Sequence, residues 1–128
     1  MKMLTVEWVE KAEGDFATLQ RERRARKNPN YDGVCFHAQQ CVEKYLKAIL
    51  QETDQPIEKT HDLIVLLNTV ILSAPFLESY REAMRRLSNY AVVFRYPGES
   101  ATREEAVLAC ALCLSIRDTI RQQLGCHS

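Results

Sequence analysis

The chain has 128 residues, one domain's worth, and 46% of them are hydrophobic, enough to build a real core. Lys and Arg together number 17, as do Asp and Glu, so bulk charge predicts neither nucleic-acid nor membrane binding. The start, Met1 to Thr5, has no apolar signal core, no stretch is long enough to span a bilayer, and the cysteines number five, an odd count. These features together predict a cytoplasmic protein with reduced thiols.

Thr5 reads as the N-cap of a first helix, with Glu7 near its positive end. Trp8, Ala12, Phe16 and Leu19 follow at helical spacing. The helix then runs into Arg21, Arg23, Arg24, Arg26 and Lys27, a cationic last turn that suits the dipole. The bland reading of that run is a solvated face; the sharper one is contact with RNA phosphates. Asn28-Pro29-Asn30 breaks the helix.

The second helix, Val34 to Leu50, organises the chain. Val34, Cys35, Ala38, Cys41, Val42, Tyr45, Leu46 and Ile49 form one broad apolar face. Gln40, Glu43, Lys44, Lys47 and Gln51 form the opposite, polar face, and His37 sits on the border. Such a helix is stable only when other helices bury the apolar side. Asp54-Gln55-Pro56 ends it.

Thr60 is placed to cap a third helix whose stripe is Leu63, Leu66, Leu67 and Val70, with Asp62 in the first turn. Ser73-Ala74-Pro75 is the next break. A fourth helix turns Leu77, Tyr80, Met84, Leu87 and Ala91 inward, and Arg81, Arg85 and Arg86 outward beside Glu78 and Glu82. It must stop by Arg95-Tyr96-Pro97-Gly98. Thr102 and Glu105 have capping-box spacing at the start of the last helix. From Ala106 to Leu114 that helix is apolar all round, which suits a central bundle member or a subunit interface. Gly125 stops it. The sum is an all-α antiparallel bundle of about five helices, a single domain over residues 1–128.

Cys110 and Cys113 have C-x-x-C spacing but lie in an apolar helical run without a second ligand pair, so they read as small buried hydrophobes. No metal site, nucleophilic triad or phosphate-cradling glycine loop emerges, and no cofactor is expected. Glu104 and Glu105 read as favourable charge at a helix N-terminus.

The phrase Cys35-Phe36-His37-Ala38-Gln39-Gln40, followed by Glu43-Lys44-Tyr45-Leu46-Lys47-Ala48, resembles the signature helix of HEPN domains. His61-Asp62-Leu63 and Arg95-Tyr96-Pro97 agree with that family's third-helix start and its turn after the fourth helix. The resemblance covers nearly the whole chain in the right order. It implies a compact helical bundle, commonly a homodimer, often encoded beside a minimal nucleotidyltransferase in pairs resembling toxin–antitoxin modules. Many members are metal-independent ribonucleases with an Arg four to six residues before a His. This sequence departs from that pattern. Arg26 lies too far from His37, and His61 has no Arg at the required distance upstream. Arg121 and His127 have the bare spacing, but they straddle Gly125, and Gln122 stands where a different polar residue is usual.

Arg95 and Tyr96 are the leading candidates for nucleotide or phosphate contact, because a guanidinium fork matches a phosphate and a phenol ring can stack on a base. The alternative is an arginine that bonds the orphan carbonyls of the fourth helix. His37 and Lys44 join the candidate set; a satisfied structural histidine is the competing reading of His37. His61 reads as a local capping residue. The expected function is a module that binds a nucleotide or RNA, or partners a nucleotidyltransferase. The alternatives are a metal-independent ribonuclease toxin, with His127 or His37 as base, and a structural homodimer.

Overall fold

A computed structural model describes residues 1–126. Five α-helices account for the architecture: α1 Met3–Arg24, α2 Tyr31–Glu52, α3 Leu63–Val70, α4 Arg81–Val93 and α5 Arg103–Leu124. A 3₁₀ segment, Pro75–Tyr80, leads into α4, so the expected fourth helix is split at Arg81. The cause is Pro75 at the segment's first position, which starts a tight turn before the α-helical ladder is established.

Helix α2 is the centre. Every residue from Tyr45 to Leu50 is buried, because α1, α3, α4 and α5 all pack against it. This corrects the expected polar face: Glu43 and Lys47 are buried, while Gln40, Lys44 and Gln51 are half-buried. A helix surrounded on all sides leaves no solvated face, and its polar residues survive burial by pairing. The side chain of Gln39 is buried with them.

Directions follow from the contacts. The α1 start meets the α2 end through Lys2 and Glu52, and the α1 end meets the α2 start through Glu22 and Asn30. These two helices are therefore antiparallel. Helix α5 runs the same way as α2: Asp32 accepts the Ala101 N–H at 2.7 Å, and Arg121 reaches Tyr45 at the far end. Helix α4 runs against both.

Helix ends follow local chemistry. Asn30 caps α2, accepting the Gly33 N–H at 2.9 Å. A Cβ on Gly33 would come within 2.7 Å of that Asn30 side chain and push the cap out of place. Asp62, not Thr60, caps α3, accepting from Ile64 at 2.9 Å, while Thr60 accepts the Asp62 N–H. Thr5 is not a cap either: α1 begins at Met3, and Thr5 is buried. The capping box of α5 forms as the spacing predicts, and Gly125 ends that helix at φ 76°.

Cys110 and Cys113 are buried and free, as are Cys35 and Cys41. Among the described residues no helix is long and apolar enough to cross a membrane. On α5, Val107, Ala111 and Leu114 remain exposed, so α2 rather than α5 is the central member.

Candidate functional site

The first turns of α2 and the end of α4 enclose a depression of about 270 Å³ lined by Asp32, Phe36, His37, Tyr90, Phe94 and Arg95. Helix α4 is closed by Phe94 at its C-cap, and Gly98 at φ 90° completes the turn beyond Arg95. The Arg95 guanidinium lies over the Phe36 ring, 5.4 Å from its centroid. Phe36 in turn meets His37 edge to face, with centroids 5.3 Å apart. Among the described residues the Arg95 side chain makes no hydrogen bond or ion pair, so it does not cap the α4 carbonyls. Asp32, the nearest acid in the depression, is committed to the Ala101 amide.

His37 is held from behind. Asp15 Oδ1 on α1 lies 2.7 Å from His37 Nδ1. A carboxylate only accepts, so Nδ1 carries the proton, and in the neutral ring Nε2 is an open acceptor. Asp15 Oδ2 also accepts from Lys44 Nζ. Asp15 is buried, and the His37 side chain keeps 29% exposure, the border position its helical register predicts. Asp15 was missed by the sequence reading. The available signal was its register, since an acid between Ala12 and Leu19 on the α1 stripe must face α2.

The four candidate residues are therefore divided. His37 and Arg95 share the depression. Lys44 is tied to it through Asp15. Tyr96, 64% exposed, stands on the turn outside its lining.

Two further polar clusters hold the bundle together. Glu43 accepts from Gln39, Gln40, Lys47 and His61, the last at 2.9 Å through Nδ1. His61 is thus no capping residue; its ring is 81% exposed and pinned to the buried Glu43. Glu13 accepts two hydrogen bonds from Arg117, at 2.8 and 2.6 Å, and one from Tyr45. Arg117 also stacks on Phe16 at 4.1 Å. Burial alone pushes the Glu13 carboxyl up, but the Arg117 and Tyr45 hydrogen bonds and the Arg117 and Arg121 charges outweigh it and hold it below the usual range. Burial and the Glu13 contact push the Tyr45 phenol up.

Arg121 belongs to that cluster. It donates to Tyr45 Oη at 3.1 Å and lies 3.6 Å from Glu13. It is thereby committed to packing α5 on α1 and α2; His127, its partner in the bare Arg–His spacing, lies outside the described residues. Arg81 and Arg85 pair with Glu78 and Glu82, as their spacing predicts. Among the described residues no group of three or more metal-ligating side chains comes together.

A larger concavity lies elsewhere. Helices α4 and α5 both lean on α2 and leave a groove of about 680 Å³ between them, lined by Ala83, Tyr90, Leu108 and Leu112 and rimmed by Glu82, Arg85 and Arg86. Tyr90 lines both this groove and the His37 depression.

The chain is similar in structure to TT1696 from Thermus thermophilus, known from a crystal structure. The TM-score is 0.79 over 92% of this chain and 96% of that one, with 24% identical residues, a likeness that shows the fold alone. No curated protein matches the chain. The sequence model of the HEPN domain matches residues 5–123, nearly the full length, and the chain belongs to the HEPN domain family.

Proposed function

We propose that this HEPN domain is a binding module for a nucleotide or RNA, with the ligand phosphate held by Arg95 and a ligand hydroxyl or base N–H donating to His37 Nε2. The observation that carries the reading is their convergence: an unpaired guanidinium stacked on Phe36 and an imidazole anchored by Asp15 face one depression. Arg95 supplies a two-point match for phosphate oxygens. Tyr90 and Phe94 offer rings to a base, and Tyr96 follows Arg95 on the same turn. Lys44 acts by neutralising Asp15, so the carboxylate does not repel the ligand. An equilibrium titration with labelled AMP and with a short labelled RNA tests this. Binding by the wild-type chain and loss in Arg95→Ala supports it; equal affinity in the variant overturns it.

A ribonuclease reading draws on the same anchored imidazole. The open Nε2 of His37 is the form a base needs to take a 2′-hydroxyl proton, and Arg95 is a cation suited to the phosphate charge that develops. RNA cleavage in chelator, lost in His37→Ala, would establish it. Intact RNA at high protein concentration would leave binding alone.

We infer a homodimer through the α4–α5 groove, which is apolar along its floor, with Val107 and Leu114 also exposed on α5. Its rim carries both charge signs, which suits a two-fold copy of the same surface. A minimal nucleotidyltransferase is the other partner the family resemblance suggests. Mass in solution and co-purification with such a chain test the two.

A further inference from the structure

The cationic end of α1 does not end in open solvent alone. Arg23 there and Arg103, the first residue of α5, line one concavity of about 240 Å³ with Tyr31, floored by Ala106 and Val107. The two arginines come from segments far apart in sequence, and the fold brings them together. Among the described residues neither has a carboxylate within ion-pair distance, whereas Arg81, Arg85, Arg117 and Arg121 each have one. The acids nearby are already engaged. Glu22 accepts the Asn30 amide at 3.3 Å, Asp32 accepts Ala101, and Glu105 closes the capping box on Thr102. Glu104 lines a neighbouring concavity with Leu108 and Ala111, which Arg103 also borders without coming within ion-pair distance of Glu104.

We propose that Arg23, Arg103 and Tyr31 form a second anion site, built for a phosphate group. Two guanidinium forks and a phenol hydroxyl supply the donors that a tetrahedral oxyanion needs. The site is separate from the His37 depression. Asn30, Asp32 and Gly33 line that depression, while Tyr31 lines this one, so the two flank the first turn of α2. The phosphate can belong to a terminal monoester or to a diester within a strand; the chemistry recognised is the same.

The test is a calorimetric titration of the full chain with inorganic phosphate. To silence the first depression every chain compared carries Arg95→Ala; that parent binds phosphate saturably through the second site, and the double variant Arg23→Gln with Arg103→Gln made in it binds roughly tenfold more weakly or worse. Both side chains are exposed, so an unchanged helical circular dichroism spectrum confirms that the variant folds. The same short RNA with and without a 5′-phosphate then identifies the source. Weakening confined to the 5′-phosphorylated strand assigns a monoester, and equal weakening assigns a diester. Non-saturating phosphate, or unchanged affinity in the double variant, overturns the site. Because Arg95 is absent from every chain compared, failure here leaves the His37 and Arg95 reading untouched.

Discussion

Asp15 Oδ1 on α1 and His37 Nδ1 on α2 lie 2.7 Å apart, and that one contact joins the packing of the bundle to the candidate site. Asp15 is buried and also serves Lys44, so its removal frees two cationic or donor groups at once. Asp15→Ala is expected to destabilise the fold by about 1–3 kcal/mol, held to that range because both partners reach solvent. Ligand affinity should fall further than stability explains, since His37 loses its orientation. Denaturant unfolding and a binding titration on the same variant separate the two effects.

Tyr45→Phe removes only a hydroxyl, yet that hydroxyl links Glu13 to Arg121 within a buried helix face. The expected cost is about 1–2 kcal/mol. The same cluster sets an acid limit. The Glu13 carboxyl is held below its unfolded-state range, so its contribution is present above that range and is lost as pH falls through the folded value. Glu13→Gln should therefore lower stability near neutrality and flatten its decline on the acid side. A variant that loses stability in parallel with wild type down the acid limb would refute the linkage.

The thiols give a simple count. Cys35, Cys41, Cys110 and Cys113 are buried, and Cys126 is half-exposed. Burial pushes the Cys35 thiol up to about 12. A thiol-specific disulfide reagent should titrate one group quickly in the native chain and the rest only on unfolding. Cys126→Ser should abolish the fast group; a second fast thiol would contradict the described packing.

Much of this was legible in the sequence where one local rule decides the outcome. Thr102 and Glu105 close the α5 capping box, and Gly125 terminates it, because caps depend on a few adjacent residues. Leu63, Leu66, Leu67 and Val70 are buried as their spacing requires. The failures share a cause. Glu43 and Lys47 look like a solvated stripe, but periodicity counts one partner face, and α2 has neighbours all round. Thr60 and Asp62 are both good caps, and only the backbone geometry chooses Asp62. At the site, His37 and Arg95 were found by residue type and by resemblance to a family turn. Their meeting beside Phe36 depends on α4 running back along α2, a long-range contact without a local signal. The pairing of Arg23 with Arg103 was hidden for the same reason.

The α4–α5 groove predicts an oligomer. Leu108 sits half-buried on its floor, and Leu108→Asp places a charge where a second copy would desolvate it. Wild type should sediment at twice the chain mass and Leu108→Asp at once the chain mass. A monomeric wild type at high concentration would remove the dimer.

The central claim is that His37 and Arg95 hold one ligand together, and a double-mutant cycle tests it most directly. Affinity for a short labelled RNA would be measured by fluorescence anisotropy for wild type, His37→Ala, Arg95→Ala and the double variant, at fixed low salt. Each single change is expected to weaken binding roughly tenfold, and the double variant to be weakened by clearly less than their product. Full affinity in both single variants, or losses that simply multiply, would contradict it.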